Sequence, residues 1–386
     1  MSLGKARAAS WAVRAALQRR GAASGGGGGG GGESPLRRLV CDAAQFGEAA
    51  PADAELRWAT SPYAARPSAE GARPQTAPQD TCVLLFPGQG AQRVGMGRRL
   101  LAVPAARDLY DLASTVVGWD VRRVCCEGPA EELDARCQTA VLVTSLCALE
   151  LVRDTRPGAL ERVRAAAGFS LGELTALVWA GALPLEPALR LVELRAAAMR
   201  AAAAARAQGM LTVWLAPDAR LPALLAAAAA AAPGAYCGVA NHLYPGCKVV
   251  AGDEAALRHV EAHGAQFGVR RSARVRAAGA FHTPLMADAE DALRRALRSV
   301  ETSAPRVAVV SAVDARRYGD GAHVRRQLAR HVTRPVLWEQ TLHALYKRPR
   351  GERFPLTLAL GPGGALRSTL RQVNAPAWDS SLQIDV

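Results

Sequence analysis

The stretch that decides the fold is Gly168-Phe169-Ser170-Leu171-Gly172-Glu173. It follows residues 162–167, which read as the end of a strand, and precedes residues 174–180, an apolar run that predicts a buried helix. Strand, tight turn and helix in this order are the context of a G-x-S-x-G nucleophile elbow, which exposes the serine hydroxyl at its apex. The backbone N–H of Leu171 then points from a helix N-terminus towards a reacting oxygen. A plain Gly-Ser turn remains the alternative, because the chain contains 36 glycines.

The composition is that of a large globular chain. Its 386 residues are enough for one large domain with an insertion, or for two domains. No strongly apolar run reaches the roughly 18 residues that a membrane span needs, so none is expected. The formal net charge of +14 fits either an arginine-rich composition with a basic presequence or attraction to acidic partners. Lysine and arginine are scattered rather than clustered with aromatic residues, so DNA binding is not expected.

The eight cysteines do not indicate a metal site or a disulfide framework. None of them forms a C-x-x-C pair, and none has the cysteine and histidine spacing of a zinc site. We expect them to be mostly buried small hydrophobic residues in a reducing compartment. No metal ion is therefore expected.

The N-terminal residues 1–32 contain no aspartate or glutamate and carry five basic residues among small and apolar ones. Residues 10–17 fit a basic amphipathic helix, and this pattern is typical of a mitochondrial transit peptide. A disordered basic tail is the alternative. The unbroken glycine run at 25–32 predicts a flexible spacer, and residues 33–80, rich in alanine, proline and arginine, predict a linker.

The chain from residue 81 onward predicts an α/β fold. Cys82–Phe86 is a short apolar run that predicts a buried strand. Residues 207–276 predict the order β-α-β-β-α-β, which is that of a ferredoxin-like unit. The flanking segments alternate strands and helices, as in a parallel sheet. The predicted domains are a discontinuous large domain at 81–206 and 277–375, a small inserted subdomain at 207–276 and a C-terminal tail at 376–386.

Three residues besides Ser170 are candidates for chemistry. His282, one of only seven histidines, lies in a small-residue loop before a helix and can supply the base that a serine nucleophile needs. Arg195 lies on an apolar helix and can grip a substrate carboxylate with two hydrogen bonds. Gln89 can offer its backbone N–H as an oxyanion donor beside Leu171. The respective alternatives are a surface histidine, a solvated or paired arginine and a plain strand-to-helix turn.

Taken together, these stretches resemble the malonyl-CoA:acyl-carrier-protein transacylases, the acyltransferases of fatty acid synthesis. The resemblance covers about residues 81–375 and is specific because the motifs recur in order. They are Phe86-Pro87-Gly88-Gln89-Gly90-Ala91-Gln92, Gly168-Phe169-Ser170-Leu171-Gly172-Glu173, Arg195-Ala196-Ala197-Ala198-Met199, Asn241, Gly279-Ala280-Phe281-His282 and Leu360-Gly361-Pro362-Gly363. The transit-like N-terminus makes the chain similar to the mitochondrial members.

The resemblance implies an α/β-hydrolase-like core with an inserted ferredoxin-like subdomain, and it implies roles for residues. Ser170 resembles the nucleophile that carries the malonyl ester, and His282 resembles its general base. Arg195 resembles the residue that pairs with the free malonyl carboxylate. The oxyanion donors would be Gln89 and Leu171. In this family backbone carbonyls hold the histidine in place of an acidic triad member, and one of them would fall near His331.

The resemblance also implies the partners and the compartment. Phe281 and Asn241 would line the substrate pocket, with Phe281 excluding a methyl branch at the malonyl α-carbon. The partners would be malonyl-CoA, CoA and holo acyl carrier protein, with no cofactor, and the enzyme would be a monomer of the mitochondrial matrix. One departure is Phe169, where bacterial relatives usually carry histidine; this should make the elbow more apolar without removing the chemistry.

Two other functions remain open from the sequence. A thioesterase or esterase would share the serine and the histidine, but it would normally place an acidic triad member between them in the chain. Asp253 and Glu254 lie in that interval, although within the predicted small subdomain. A non-catalytic carrier-protein or RNA-binding module is the second alternative. The presence of Ser170, Arg195 and His282 together disfavours it.

Overall fold

The computed structural model describes residues 77–386 of the chain. The predicted transit peptide at 1–32 and nearly all of the predicted linker at 33–80 lie outside the described residues. The first described element is a 3₁₀ turn at Pro78–Asp80, and the first strand follows directly after it. Within residues 77–386, no helix has the length and apolarity that crossing a membrane requires.

Ten strands in the described region form two five-stranded sheets. In chain order they are β1 (Cys82–Phe86), β2 (Val163–Gly168), β3 (Gln208–Leu215), β4 (Cys237–Tyr244), β5 (Cys247–Asp253), β6 (Val269–Arg274), β7 (Ala308–Val310), β8 (Val336–Leu337), β9 (Leu356–Leu360) and β10 (Ser381–Ile384). The larger sheet has the order β10-β9-β1-β2-β7, and every neighbouring pair in it is parallel. Its strands therefore all end at one edge, where the connecting loops can converge on a site.

Fourteen α-helices connect these strands within the described region. They are α1 (Pro104–Val117), α2 (Val121–Cys126), α3 (Ala130–Ala135), α4 (Cys137–Thr155), α5 (Pro157–Glu161), α6 (Leu171–Trp179), α7 (Leu185–Ala204), α8 (Leu221–Ala231), α9 (Glu254–His263), α10 (Ala287–Ala296), α11 (Gly321–Arg330), α12 (Trp338–Tyr346), α13 (Ala365–Val373) and α14 (Ala375–Asp379). Helices α4, α6 and α7 pack together on one face of the larger sheet, and α12 and α13 cover the other face.

Both faces of the larger sheet are buried, and β1 shows this directly. Leu84 and Phe86 enter one apolar cluster, whereas Val83 and Leu85 enter the cluster on the opposite face. Successive side chains of a strand point to opposite faces, so a strand covered on both sides must be apolar at every position. This requirement explains why the strand reads as an unbroken apolar run in the sequence.

The smaller sheet has the order β6-β3-β5-β4-β8. Its first four strands pair antiparallel and come from residues 208–274, which fold in the predicted order β-α-β-β-α-β. The fifth strand, β8, comes from a later part of the chain and pairs parallel with β4, where Val336 lies opposite Asn241. A nearly buried ion pair joins the same two parts, with 2.6 Å between Lys248 Nζ and Glu339 Oε2.

The structure corrects the sequence-based expectation in several places. The sequence pattern of residues 336–346 predicts one helix, but the segment begins with β8, because its first two residues pair with β4. The pattern of residues 131–133 predicts a short turn, but these residues are part of helix α3. The C-terminal tail expected at 376–386 instead contains the end of α14 and strand β10, which pairs with β9 at the sheet edge.

We expect a chain that ends at Ser380 to be less stable than the full chain. Truncation removes strand β10 and the side chain of Val386, which is 3% exposed, together with the hydrogen bond from Arg93 Nη2 to its carbonyl oxygen. Lost burial and lost pairing should lower the free energy of unfolding by at least about 2 kcal/mol, measured by urea denaturation. As a control, Leu382→Ala changes an exposed side chain and should have little effect. Unchanged stability after truncation would contradict the assignment of β10 to the sheet.

Candidate active site

The turn between β2 and α6 leaves no room for side chains at its two glycines. A Cβ on Gly168 would lie 1.9 Å from the carbonyl carbon of Gly172. A Cβ on Gly172 would lie 2.1 Å from the carbonyl oxygen of Phe86. Between them, Ser170 has φ 50°, a conformation that non-glycine residues rarely adopt. Such strain costs about 1–3 kcal/mol and persists only where the surrounding structure enforces it. The predicted elbow geometry is therefore present, with the serine at the apex.

The loop after β1 lies directly against this elbow. The backbone N–H of Phe169 donates to the carbonyl oxygen of Phe86 at 3.0 Å, and a Cβ on Gly88 would lie 2.5 Å from the carbonyl oxygen of Phe169. The next residue, Gln89, accepts a hydrogen bond through its side-chain oxygen from Gln138 Nε2 at 3.2 Å. The structure thus places the predicted Gln89 loop beside the serine.

Ser170 and His282 are hydrogen-bonded although 112 residues separate them in the chain. The serine Oγ lies 2.8 Å from His282 Nε2, and His282 Nδ1 lies 2.8 Å from the carbonyl oxygen of His331. Because a carbonyl oxygen can only accept, Nδ1 carries the ring proton and Nε2 presents its lone pair to the serine. The backbone N–H of His282 donates to the carbonyl oxygen of Val332 at 2.9 Å, which fixes the residue at φ 64°.

The surroundings of His282 keep its imidazole neutral. Burial lowers its pKa well below the usual value, and the neighbouring charges of His331 and Arg195 lower it further. Backbone carbonyls of His331 and Arg334 act in the opposite direction but do not outweigh burial. A neutral histidine with a free Nε2 lone pair can accept the serine proton at physiological pH.

Arg195 projects from α7 into the same site and is 1% exposed. Its Nη2 donates to Ser170 Oγ at 3.0 Å, and its Nη1 donates to Gln138 Oε1 at 2.6 Å. Burial lowers its pKa to about 10, so the guanidinium remains charged at neutral pH. Among the described residues no carboxylate forms an ion pair with it, and its Nε has no hydrogen-bond partner. A buried cation without a paired anion is costly, so an anion that reached this guanidinium would be stabilised by pairing with it.

Sequence reasoning missed Gln138, which links two of the predicted residues. Its side chain is 3% exposed; it accepts from Arg195 and donates to Gln89. A buried amide at the start of the strongly apolar helix α4 is the signal that could have identified it. The contacts orient the guanidinium towards the serine.

The remaining predicted residues lie around this group. Leu171 is the first residue of α6, where backbone N–H groups lack helical acceptors. Phe281 precedes the histidine and is 8% exposed within the larger apolar core. Asn241 lies on β4 and is 4% exposed, and its amide nitrogen has no hydrogen-bond partner among the described residues. Within residues 77–386, no hydrogen bond connects Asn241 to Ser170, His282 or Arg195.

Replacing Gly172 with alanine should disrupt the elbow. The added methyl group would collide with the end of β1, and overpacking of this kind costs about 1–3 kcal/mol or more. We expect a lower melting temperature and a loss of the serine's reactivity towards a serine-directed fluorophosphonate probe. The matched control is Gly158→Ala, because a Cβ on Gly158 meets nothing within 4 Å. If Gly172→Ala and Gly158→Ala have the same melting temperature and the same reactivity with the probe, the close approach of α6 and β1 is contradicted.

The chain is similar to known proteins over the part that carries this site. A family model for the acyl transferase domain matches residues 83–350. The probable mitochondrial malonyl-CoA-acyl carrier protein transacylase of Drosophila melanogaster is 45% identical over 325 residues, covering 82% of this chain and 86% of that protein. The mitochondrial malonyl-CoA-acyl carrier protein transacylase of Homo sapiens is 42% identical over 316 residues, covering 80% of this chain and 81% of that protein.

A solved structure has the same fold. The malonyl-CoA:acyl carrier protein transacylase of Xanthomonas oryzae pv. oryzae superposes with a TM-score of 0.71 at 32% identity, covering 80% of this chain and 95% of that chain. The α/β class predicted from the sequence is confirmed, and so is the resemblance drawn from the ordered motifs. The chain therefore belongs to the acyl transferase domain family, among the malonyl-CoA-acyl carrier protein transacylases.

Proposed function

We propose that this chain transfers the malonyl group of malonyl-CoA to the phosphopantetheine thiol of acyl carrier protein through a malonyl-Ser170 intermediate. The reaction supplies extender units for mitochondrial fatty acid synthesis. Family membership supports the activity. The observation that carries the substrate assignment is Arg195, a buried guanidinium 3.0 Å from the serine Oγ that forms no ion pair among the described residues.

The first half-reaction begins when the malonyl carboxylate binds Arg195, which places the thioester carbon beside Ser170. As the serine Oγ attacks that carbon, its proton passes to His282 Nε2. Negative charge develops on the thioester oxygen, and the backbone N–H groups of Leu171 and Gln89 are proposed to stabilise it. The tetrahedral intermediate collapses by breaking the carbon–sulfur bond, and the proton held by His282 passes to the departing CoA thiolate.

The second half-reaction reverses these roles. The carrier's phosphopantetheine thiol gives its proton to His282 Nε2 and attacks the malonyl ester carbon. The carbon–oxygen bond to Ser170 breaks, and the histidine returns the proton to the serine Oγ. Because CoA leaves the malonyl-enzyme before the carrier's thiol attacks it, the kinetics are expected to be ping-pong.

Substrate choice follows from the charge and the size of the pocket. Acetyl-CoA carries no second carboxylate and would leave the buried guanidinium unpaired. Losing one side of a buried pair costs about 3–5 kcal/mol, a factor of hundreds or more in favour of malonyl-CoA. Phe281 is proposed to exclude a methyl branch at the malonyl α-carbon, and the free amide of Asn241 to contact the substrate.

The surroundings of the histidine disfavour a thioesterase or esterase. Such an enzyme would need a carboxylate on His282 Nδ1, where the chain has the carbonyl oxygen of His331. The two acidic candidates are engaged elsewhere, since Asp253 pairs with Arg206 and Glu254 pairs with Arg274. The hydrogen-bonded serine, histidine and arginine likewise disfavour a non-catalytic carrier-protein or RNA-binding module.

We also propose a finer description of the fold. The parallel larger sheet with its serine elbow after β2 supports an α/β-hydrolase-like catalytic domain at 81–206 and 277–375. The strand order β6-β3-β5-β4 of residues 208–274 supports a ferredoxin-like inserted subdomain at 207–276.

The mitochondrial relatives and the acid-free N-terminal sequence support localisation to the mitochondrial matrix. The protein is proposed to act as a monomer on malonyl-CoA and holo acyl carrier protein.

Intact-protein mass after brief mixing with malonyl-CoA tests the acyl-enzyme. The wild-type chain should gain one malonyl group, Ser170→Ala should gain none, and holo acyl carrier protein should discharge the adduct. Arg195→Ala should lower kcat/KM for malonyl-CoA by a factor of about 100 or more. Arg190→Ala is the matched control, because this arginine lies on the same helix with its side chain 65% exposed. If malonyl-CoA is hydrolysed and no adduct forms, the chain is a thioesterase. If there is no adduct and no turnover, the proposed catalysis is refuted.

The pH dependence of acylation should report the buried histidine. The pKa of His282 is lowered, so its imidazole stays neutral as the pH falls through 6.5, where an ordinary histidine becomes protonated. We therefore expect kcat/KM for malonyl-CoA to stay level between about pH 8 and pH 6 and to fall only below that range. A fall in kcat/KM with its midpoint at or above pH 6.5 would contradict the proposed buried environment of His282.

A further inference from the structure

The carbonyl group that holds His282 belongs to a residue whose side chain is itself paired. His331 Nε2 lies 3.3 Å from Glu173 Oε2, and the two side chains are 1% and 0% exposed. The rings of His331 and His282 also meet edge to face, with their centroids 5.5 Å apart. His331 therefore contacts His282, the proposed base, through its backbone carbonyl and its ring. The Nε2 edge of the His331 ring contacts the Glu173 carboxylate.

Glu173 is fixed from several directions. The backbone N–H of Ala312 donates to its Oε2 at 2.8 Å, and the Tyr318 hydroxyl donates to its Oε1. Burial alone would raise the pKa of this carboxyl, but the charge of His331 and these hydrogen bonds together hold the pKa below its ordinary value. The carboxylate is thus ionised at neutral pH, and it lies on α6, three residues after Ser170.

The backbone at His331 needs such a restraint. His331 is the first residue after helix α11, where carbonyl groups have no helical donor. The carbonyl oxygen of His331 accepts the Nδ1–H of His282. The carbonyl oxygen of Val332 accepts the backbone N–H of His282. A small rotation of this peptide would misdirect the acceptor and release the imidazole from the orientation in which Nε2 faces the serine.

We propose that Glu173 and His331 act together as positioning residues for His282. Glu173 holds the side chain of His331, and His331 in turn presents its carbonyl oxygen to Nδ1 of the base. Glu173 thus acts on His282 through His331, because no carboxylate among the described residues contacts the His282 imidazole directly. The proposal rests on the proposed function, since it takes His282 as the general base.

Three variants separate this role from ordinary core packing. Glu173→Gln keeps the shape but removes the negative charge. His331→Leu keeps the backbone carbonyl and removes the polar ring edge that lies 3.3 Å from Glu173. His331→Gln keeps the carbonyl and restores a polar N–H group on the side chain that faces Glu173. The matched control is Glu339→Gln, because Glu339 is a 1% exposed carboxylate in another ion pair, with Lys248, outside the site.

The first measurement is the steady-state rate of each full-length variant with malonyl-CoA and holo acyl carrier protein. We expect kcat to fall about 10-fold or more in Glu173→Gln and His331→Leu, within the range that general-base catalysis contributes. KM for malonyl-CoA should stay within about twofold, because Arg195 is untouched. His331→Gln and Glu339→Gln should retain kcat within about threefold of wild type.

The second measurement is the imidazole Nδ1–H proton signal of His282, observed by NMR after selective histidine labelling. We expect this downfield signal in the wild type, His331→Gln and Glu339→Gln, and its loss by exchange in Glu173→Gln and His331→Leu. This readout needs no substrate, so it tests the positioning role even if the wild-type chain forms no malonyl adduct and the proposed function fails.

Several results would overturn the proposal. Wild-type kcat in both Glu173→Gln and His331→Leu would show that the pair does not position the base. A fall in His331→Gln as large as that in His331→Leu would show that a polar side chain opposite Glu173 is irrelevant. An equal fall in Glu339→Gln would indicate a general effect of losing a buried charge. If Glu173→Gln does not fold, the comparison of His331→Leu with His331→Gln decides the question.

Discussion

Helix α6 lies against the ends of β1 and β2 with no side chain between them, and the site depends on this approach. The absent Cβ atoms of Gly168 and Gly172 make it possible. One rigid piece of chain then sets the hydroxyl of Ser170, the N–H of Leu171 and the carboxylate of Glu173. A methyl group at either glycine would displace all three together, so the glycines govern chemistry that they do not themselves perform.

The buried charges of the site act on one another. Burial makes the Arg195 guanidinium costly to leave unpaired, and its charge also lowers the pKa of His282. In the proposed reaction the malonyl carboxylate neutralises that charge as it binds. The pKa of the histidine should then rise just when it must accept the serine proton. In this proposal the interaction that selects the substrate also strengthens the base, whereas burial and the charge of the unneutralised Arg195 otherwise keep the histidine neutral.

The sequence predicts those parts of the molecule that depend on neighbours along the chain. The apolar run of β1 and the Gly-x-Ser-x-Gly turn are local patterns, and both strand and elbow form where the sequence predicts them. Strands β8 and β10 were missed because each owes its conformation to pairing with a distant strand. Gln138 was missed for a related reason, since a buried amide acquires meaning only from the arginine it meets. The carbonyl of His331 was anticipated by the family resemblance, but no spacing in the sequence indicates its contact with Glu173.

The position of His282 links the two sheets. The chain reaches it from β6 of the smaller sheet, and Gln208 at the start of β3 accepts a hydrogen bond from the backbone N–H of Ala280 at 2.9 Å. The residues that hold it, His331 and Val332, lie only a few positions before β8, which pairs with β4 of the same small sheet. A rotation of the smaller sheet would therefore move both the base and its acceptors relative to the serine. Since the proposed proton transfer requires the short contact between Ser170 and His282, the two sheets should keep one relative position throughout the proposed chemical steps.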